Sequence, residues 1–158
     1  MSAKTIISSS PRMTRKSGAD FAKYLINNPL GDKALVVALI GDLGSGKTTL
    51  LQGFARGLGV KEKILSPTFI IFRKLEIKGL YFRFLYHFDC YRIGAPKDLL
   101  ALGWKEIVKN PQNIIVVEWA DRVSKIIPKN AVRVELRRKG ECSREIKLKQ
   151  QKTARSVI

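Results

Sequence analysis

The run Gly41-Asp42-Leu43-Gly44-Ser45-Gly46-Lys47-Thr48 carries the clearest chemistry in this 158-residue chain. It fits G-x-x-x-x-G-K-[ST], a pattern whose backbone N–H groups wrap an anion such as a nucleotide phosphate. Each residue type has its own task. Glycines turn successive N–H groups inward with no Cβ in the way. Lys47 brings a mobile positive charge to the β- and γ-phosphates, and Thr48 offers a hydroxyl to a Mg²⁺ ion. A helix starting at the loop adds the positive end of its dipole at the same point. A glycine-rich turn with a coincidental lysine is the alternative, and the flanking sequence decides against it.

Two other stretches place reactive groups at the ends of apolar runs. Glu118 follows Ile114-Ile115-Val116-Val117. A carboxylate there resembles the acidic, Mg²⁺-binding member of the second phosphate-loop motif; the plain alternative is a surface glutamate where a strand meets a loop. The segment His87-Phe88-Asp89-Cys90-Tyr91-Arg92 gathers an imidazole, a carboxylate, a phenol and a guanidinium. If it is extended, His87, Asp89 and Tyr91 face one side and Phe88, Cys90 and Arg92 the other. Asp89 could orient a water or accept its proton. A lone histidine among aromatics reads as a core hydrogen-bonding residue, so His87 is assigned a structural role.

These groups need a scaffold, and the flanking sequence supplies one. Ala34 to Ile40 is wholly apolar, as expected of a strand buried on both faces of a parallel sheet. Thr48 to Leu58 reads as a helix ended by Gly57 and Gly59. Ser10-Pro11 opens a helix running to about Ile26. Phe69-Ile70-Ile71-Phe72 predicts a strand, and Lys78-Gly79 a turn leading into an aromatic stretch from Leu80 to Phe88. Leu99 to Val108 suggests one or two short helices around Gly103. Val132, Val134 and Leu136 alternate with charges, and Ile146-Lys147-Leu148 follows Gly140, which predicts an antiparallel hairpin. In α/β sheets ligands gather beyond the carboxyl ends of strands, where the loop and Glu118 would both lie.

Length and pattern predict one α/β domain over residues 1–149, with a largely parallel central sheet, antiparallel C-terminal strands, and a basic flexible tail over 150–158. No apolar run is long enough to span a bilayer, and the N-terminus lacks a signal-peptide pattern. Two isolated cysteines suit reduced thiols, so a cytoplasmic, non-membrane protein is expected. Thirty Lys and Arg against 13 Asp and Glu give a formal charge of +17. The excess gathers near the C-terminus, so the basic hairpin is either a contact for a polyanion such as tRNA or a solvated basic face.

Taken in order, Gly41 to Thr49, Ser66-Pro67-Thr68-Phe69, His87 to Arg92, Leu102-Gly103 and Glu118-Trp119 resemble the TsaE (YjeE) family. Thr14 stands where that family has an early threonine. The resemblance implies a P-loop NTPase-like, three-layer fold. It also implies a bacterial ATPase that works with other subunits of the tRNA threonylcarbamoyl-transfer complex, which modifies the adenosine next to the anticodon. ATP and Mg²⁺ are the implied cofactors, with Gly41 to Thr49 and Trp119 at the nucleotide and Thr48 and Glu118 on the metal. Thr68 would sit in a switch-like loop, and Lys47 and Asp89 would support hydrolysis. The stretch between Ser66 and His87 is longer and more aromatic than in that family, which suggests an added hairpin tip or a contact surface. Cys90 stands where the family usually has an aliphatic residue. The rivals are a P-loop small-molecule kinase, for which no arginine-rich lid is evident, and a nucleotide-gated RNA-binding module. A GTPase is disfavoured because the sequence contains no N-K-x-D.

Overall fold

The structure is a computed structural model that describes residues 2–28, 31–65, 71–79 and 81–150. Leu35–Ile40 forms β2, buried along nearly its whole length. It pairs in parallel with β5 (Asn113–Glu118) on one side and β6 (Val132–Arg138) on the other. β5 in turn pairs in parallel with β4 (Phe84–Asp89). The edges are antiparallel. β3 (Phe72–Glu76) lies against β4, β7 (Arg144–Gln150) against β6, and β1 (Ser2–Ser8) against β7. The sheet order is β1-β7-β6-β2-β5-β4-β3.

Two-residue alternation builds a separate core on each face of this sheet. Leu35, Val37 and Leu39 pack with Leu85, Ile114, Val116 and Val134 beneath α1 (Pro11–Asn27) and α2 (Lys47–Gly57). Val36 and Ala38 pack with Phe88, Ile115 and Val117 against α3 (Pro96–Leu100), α4 (Trp104–Lys109) and a 3₁₀ turn at Ala120–Val123. The result is the α/β domain with a largely parallel central sheet expected from the apolar runs, in the three layers that the family resemblance implied.

The helices begin and end for local reasons. Ser10 caps α1 by accepting from the Met13 N–H at 3.2 Å, with Pro11 in the first turn. Gly59 follows α2 at φ +79°, a left-handed conformation suited to a residue without Cβ. Gly103 takes the same region at φ +84° and separates α3 from α4. α1 and α2 meet through glycines. A Cβ on Gly53 would overlap the Arg15 carbonyl oxygen, and one on Gly18 the Leu50 carbonyl oxygen. Gly53→Ala should therefore cost about 1–3 kcal/mol through overpacking. A melting temperature within a degree of wild type would show that the two helices separate freely.

Several boundaries differ from the sequence reading. The strand expected at Phe69 to Phe72 begins only at Phe72, and Ile71 lies in a bend; residues 69 and 70 fall outside the described residues. β4 starts at Phe84, four residues later than the aromatic run suggested, because Tyr81 sits in the turn. The first short helix comes earlier than expected, at Pro96. β1 was not anticipated: its single apolar pair, Ile6-Ile7, carries little period, and only pairing with β7 makes it a strand. β7 includes Gln150, and residues 151–158 of the expected tail lie outside the described residues. The aromatic stretch is mostly core. Phe82, Tyr86 and Phe88 are buried, and Tyr81 is exposed. Cys90 is likewise fully buried, and burial with Asp89 nearby pushes its thiol up to about 12, so it behaves as a small apolar residue. Among the described residues no helix is long and apolar enough to cross a membrane.

Candidate active site

The glycine loop leaves the carboxyl end of β2 and runs straight into α2, as its sequence requires. Gly44 and Gly46 have φ of +74° and +99°, and a Cβ on Gly44 would meet open space. No side chain caps α2 at Gly46. The first-turn N–H groups of a helix have no intrahelical acceptors, so those of α2 are available to an anion. Ser45 is buried beneath the loop, and Leu43 projects outward.

Lys47 is held within its own loop. Its Nζ donates to the Gly41 carbonyl at 2.6 Å and the Asp42 carbonyl at 2.9 Å, and lies 4.0 Å from the centre of the Trp119 ring. Burial lowers the pKa of the ammonium, while Glu118, Asp89, Asp42 and Asp121 act in the opposite direction. A lysine whose folded pKa lies below its unfolded one binds its proton less readily in the folded chain. Its stability contribution rises as pH climbs from the folded to the unfolded pKa, so below that window charged Lys47 destabilises the ligand-free fold. A phosphate beside it would offset that cost. Trp119 takes φ 58°, the single non-glycine residue with positive φ among the described residues. For a bulky side chain that conformation is strained, and strain of this kind collects at functional sites.

Behind the loop lies a buried polar chain. Thr48 Oγ1 donates to Glu118, 3.0 Å from Oε2 and 3.3 Å from Oε1. Glu118 is 2% exposed, which excludes the surface-glutamate alternative. Its Oε1 also meets His87 Nε2 at 2.8 Å. Asp89 is paired in register with Glu118 on the adjacent strand, so the two carboxylate-bearing residues end β4 and β5 side by side. Asp89 Oδ1 accepts from the Tyr91 N–H at 3.0 Å. The chain turns there, so Tyr91 and Arg92 do not continue the strand.

The structure thus brings together Gly41 to Thr49, Asp89, Glu118 and Trp119. Thr68 lies outside the described residues. Two neighbours were not singled out from sequence as site residues, and the partner of a third was not named. Arg122 lies over both Tyr91 and Trp119, at 5.2 Å and 5.5 Å from the ring centres, and donates to the Tyr91 carbonyl at 2.6 Å. Arg144, at the start of β7, lies against Gly46: a Cβ there would come within 3.6 Å of the arginine side chain. His87 is the core hydrogen-bonding residue that the sequence suggested, and its partner is Glu118. Only the contact of Arg122 had a local signal, its position three residues after Trp119. The other two depend on which strands become neighbours.

The donors suit a nucleotide–Mg²⁺ complex. Thr48 and Glu118 offer hard oxygens a hydrogen bond apart. Among the described residues no group of three or more His, Cys, Asp or Glu side chains could hold a metal by itself. A cation here would take its remaining oxygens from phosphate and water, which is the habit of Mg²⁺.

Comparison with known proteins identifies a family. The family model described as threonylcarbamoyl adenosine biosynthesis protein TsaE matches residues 8–146. The chain belongs to the TsaE family. Among its relatives, the Haemophilus influenzae tRNA threonylcarbamoyladenosine biosynthesis protein TsaE is 34% identical over 75% of this chain and 72% of that protein. The Treponema pallidum protein of the same description is 34% identical over 85% of this chain and 97% of its own length. The crystal structure of Bacillus subtilis YdiB superposes with a TM-score of 0.73 at 28% identity, covering 94% of this chain and 86% of that one. The family match spans the glycine loop, Glu118 and most of the C-terminal hairpin.

Proposed function

We propose that this chain is a Mg²⁺-dependent ATPase that supports tRNA threonylcarbamoyladenosine biosynthesis together with partner proteins. Family membership supports the pathway, since the relatives are described by it. The observation that carries the chemistry is the part-buried Thr48–Glu118 pair set beside Lys47 and the uncapped start of α2. Gly41 to Thr49 bind the phosphates through backbone N–H groups. Lys47 leaves the carbonyls of Gly41 and Asp42 for the β- and γ-phosphates and stabilises the charge that develops in transfer. Thr48 and Glu118 would hold Mg²⁺, which when bound neutralises charge on the phosphate oxygens. Asp89 orients the attacking water, Trp119 lies beside the nucleotide, and Thr68 senses the γ-phosphate. A cytoplasmic setting goes with this role.

Hydrolysis in this reading is slow in the isolated chain and rises when partners dock, because phosphoryl transfer depends on positioning. Asp89→Asn should suppress that rise and leave ATP binding largely intact. Single-turnover assays with and without the partner subunits test this; equal rates would refute partner gating. Inorganic phosphate appearing with no phosphorylated small molecule separates an ATPase from a kinase.

The tRNA contact is assigned to the C-terminal hairpin. Val132, Val134, Leu136 and Ile146 face the core, which turns Arg133, Arg137, Lys147 and Lys149 the other way. Part of this charge is matched internally. Lys149 lies 2.6 Å from Glu135 and lowers the pKa of that carboxyl, and Lys147 lies 3.5 Å from Glu145. At the tip Lys139 lies 3.8 Å from Glu145, and the test falls on the three tip residues together. Replacing Arg137, Arg138 and Lys139 with serine should weaken tRNA binding by the assembled complex and flatten its log–log salt dependence by roughly one unit per lost phosphate contact. An unchanged slope makes the hairpin a solvated face.

A further inference from the structure

We infer that His87 is a positioning residue. It fixes the rotation of the Glu118 carboxylate, and through it the affinity of the site for a divalent cation. The inference rests on the metal reading of Thr48 and Glu118 above.

His87 is 0% exposed, and on its face of β4 it follows Leu85, which packs with Val116 in an apolar core, and precedes Asp89 at the strand's end. Packing alone gives no reason for an imidazole there. A leucine or phenylalanine would fill such a space without burying two ring nitrogens. Only one of those nitrogens is used: Nε2 lies 2.8 Å from Glu118 Oε1, while Nδ1 is buried with no hydrogen-bond partner among the described residues. An orphaned buried nitrogen is a standing cost, so the contact with Glu118 is what the ring supplies in return. The same asymmetry sets the tautomer. With a carboxylate at Nε2 and no acceptor at Nδ1, the ring proton belongs on Nε2, and His87 donates.

That donation divides the work of the carboxylate. Oε1 is tied to His87, whereas Oε2 is the oxygen nearer Thr48 Oγ1, at 3.0 Å against 3.3 Å. Glu118 therefore cannot swing about its last torsion without breaking the 2.8 Å contact, and Oε2 stays aimed at the phosphate-loop threonine. Partners of this kind behind a metal-binding carboxylate commonly change metal affinity tenfold to a hundredfold when lost. The contact also joins β4 to β5 two residues before Asp89, so both acidic side chains share one brace.

The alternative is that His87 merely ties two strands together. Three full-length variants separate the cases. The amide of His87→Gln can reach the place of Nε2, that of His87→Asn falls short of it, and His87→Leu keeps the volume without a donor. The readout is the affinity for the non-hydrolysable analogue AMPPNP in Mg²⁺ divided by that in EDTA, alongside melting temperature without ligand. For Asn and Leu the ratio should fall about tenfold or more, with EDTA affinity unchanged, while Gln stays close to wild type. If Leu fails to fold, the contrast between Asn and Gln decides. Wild-type ratios in Asn and Leu, or no difference between Asn and Gln, overturn the inference. A wild-type protein whose AMPPNP affinity ignores Mg²⁺ overturns the metal reading and this inference with it.

Discussion

Lys47→Ala will weaken ATP binding about tenfold to a hundredfold, the cost of losing charged hydrogen bonds. It will also reduce hydrolysis at least about a hundredfold further, the usual loss when one preorganised stabiliser of developing charge is removed. Without nucleotide, the same variant should melt close to wild type, because two effects oppose each other. The ammonium satisfies the carbonyls of Gly41 and Asp42 and rests on Trp119, but burial disfavours its charged form. ATP should raise the melting temperature of wild type and leave that of Lys47→Ala almost unchanged. Calorimetric titration and ligand-dependent melting check the two halves separately. Full ATP affinity in the variant would remove Lys47 from the phosphate site.

Glu118→Gln will act through the metal. The change keeps shape but removes the charge and replaces one acceptor with an N–H₂ donor. Two donors, Thr48 Oγ1 and His87 Nε2, now face a group with a single acceptor oxygen. The oxygen can stay with His87 Nε2 while the Thr48 hydroxyl turns to accept from the N–H₂ group, so the melting temperature without ligand should stay close to wild type. Hydrolysis should fall at least about a hundredfold, the scale of losing one stabiliser of transition-state charge. The Mg²⁺ needed for half-maximal rate should rise at least about tenfold, since even outer partners of a metal site move affinity by that much. ATP binding in EDTA should change little, because the glycine loop and Lys47 remain. The measurement is a Mg²⁺ titration of single-turnover rate, and a wild-type rate at low Mg²⁺ would exclude Glu118 from the metal.

How much of this was legible in the chain depends on how local each determinant is. The glycine loop declares itself because its chemistry, its turn and the helix that follows lie in one unbroken stretch from Gly41 to Gly57. Ala34 to Ile40 and Ile114 to Val117 announce buried parallel strands by having no polar residue at all. Ser10-Pro11 starts a helix by local hydrogen bonding, and Gly103 divides two helices by its own φ. An α/β domain with a largely parallel central sheet follows from those runs and their order, and the structure has it. β3 and β4 were misplaced by a few residues because aromatic composition marks a strand without fixing its register; the turn at Tyr81 does that. β1 was missed because an edge strand with a single apolar pair has almost no period of its own.

The site divides along the same line. Sequence named Lys47 and Thr48 from the glycine-loop motif, Glu118 from its place after an apolar run, and Asp89 from its residue type and the family resemblance. It left two readings of Glu118 open and gave His87 to the core. Tertiary structure decided both by making β4 and β5 neighbours in a register that sets Asp89 beside Glu118 and His87 beside Val116. That register buries Glu118 between a threonine 70 positions away and a histidine 31 positions away in sequence. It is also sheet order that brings β7, and with it Arg144, against Gly46. Residue type and local spacing determine what a side chain can do; which groups it meets across the sheet is set by strand pairing, a cooperative outcome of burying both faces at once.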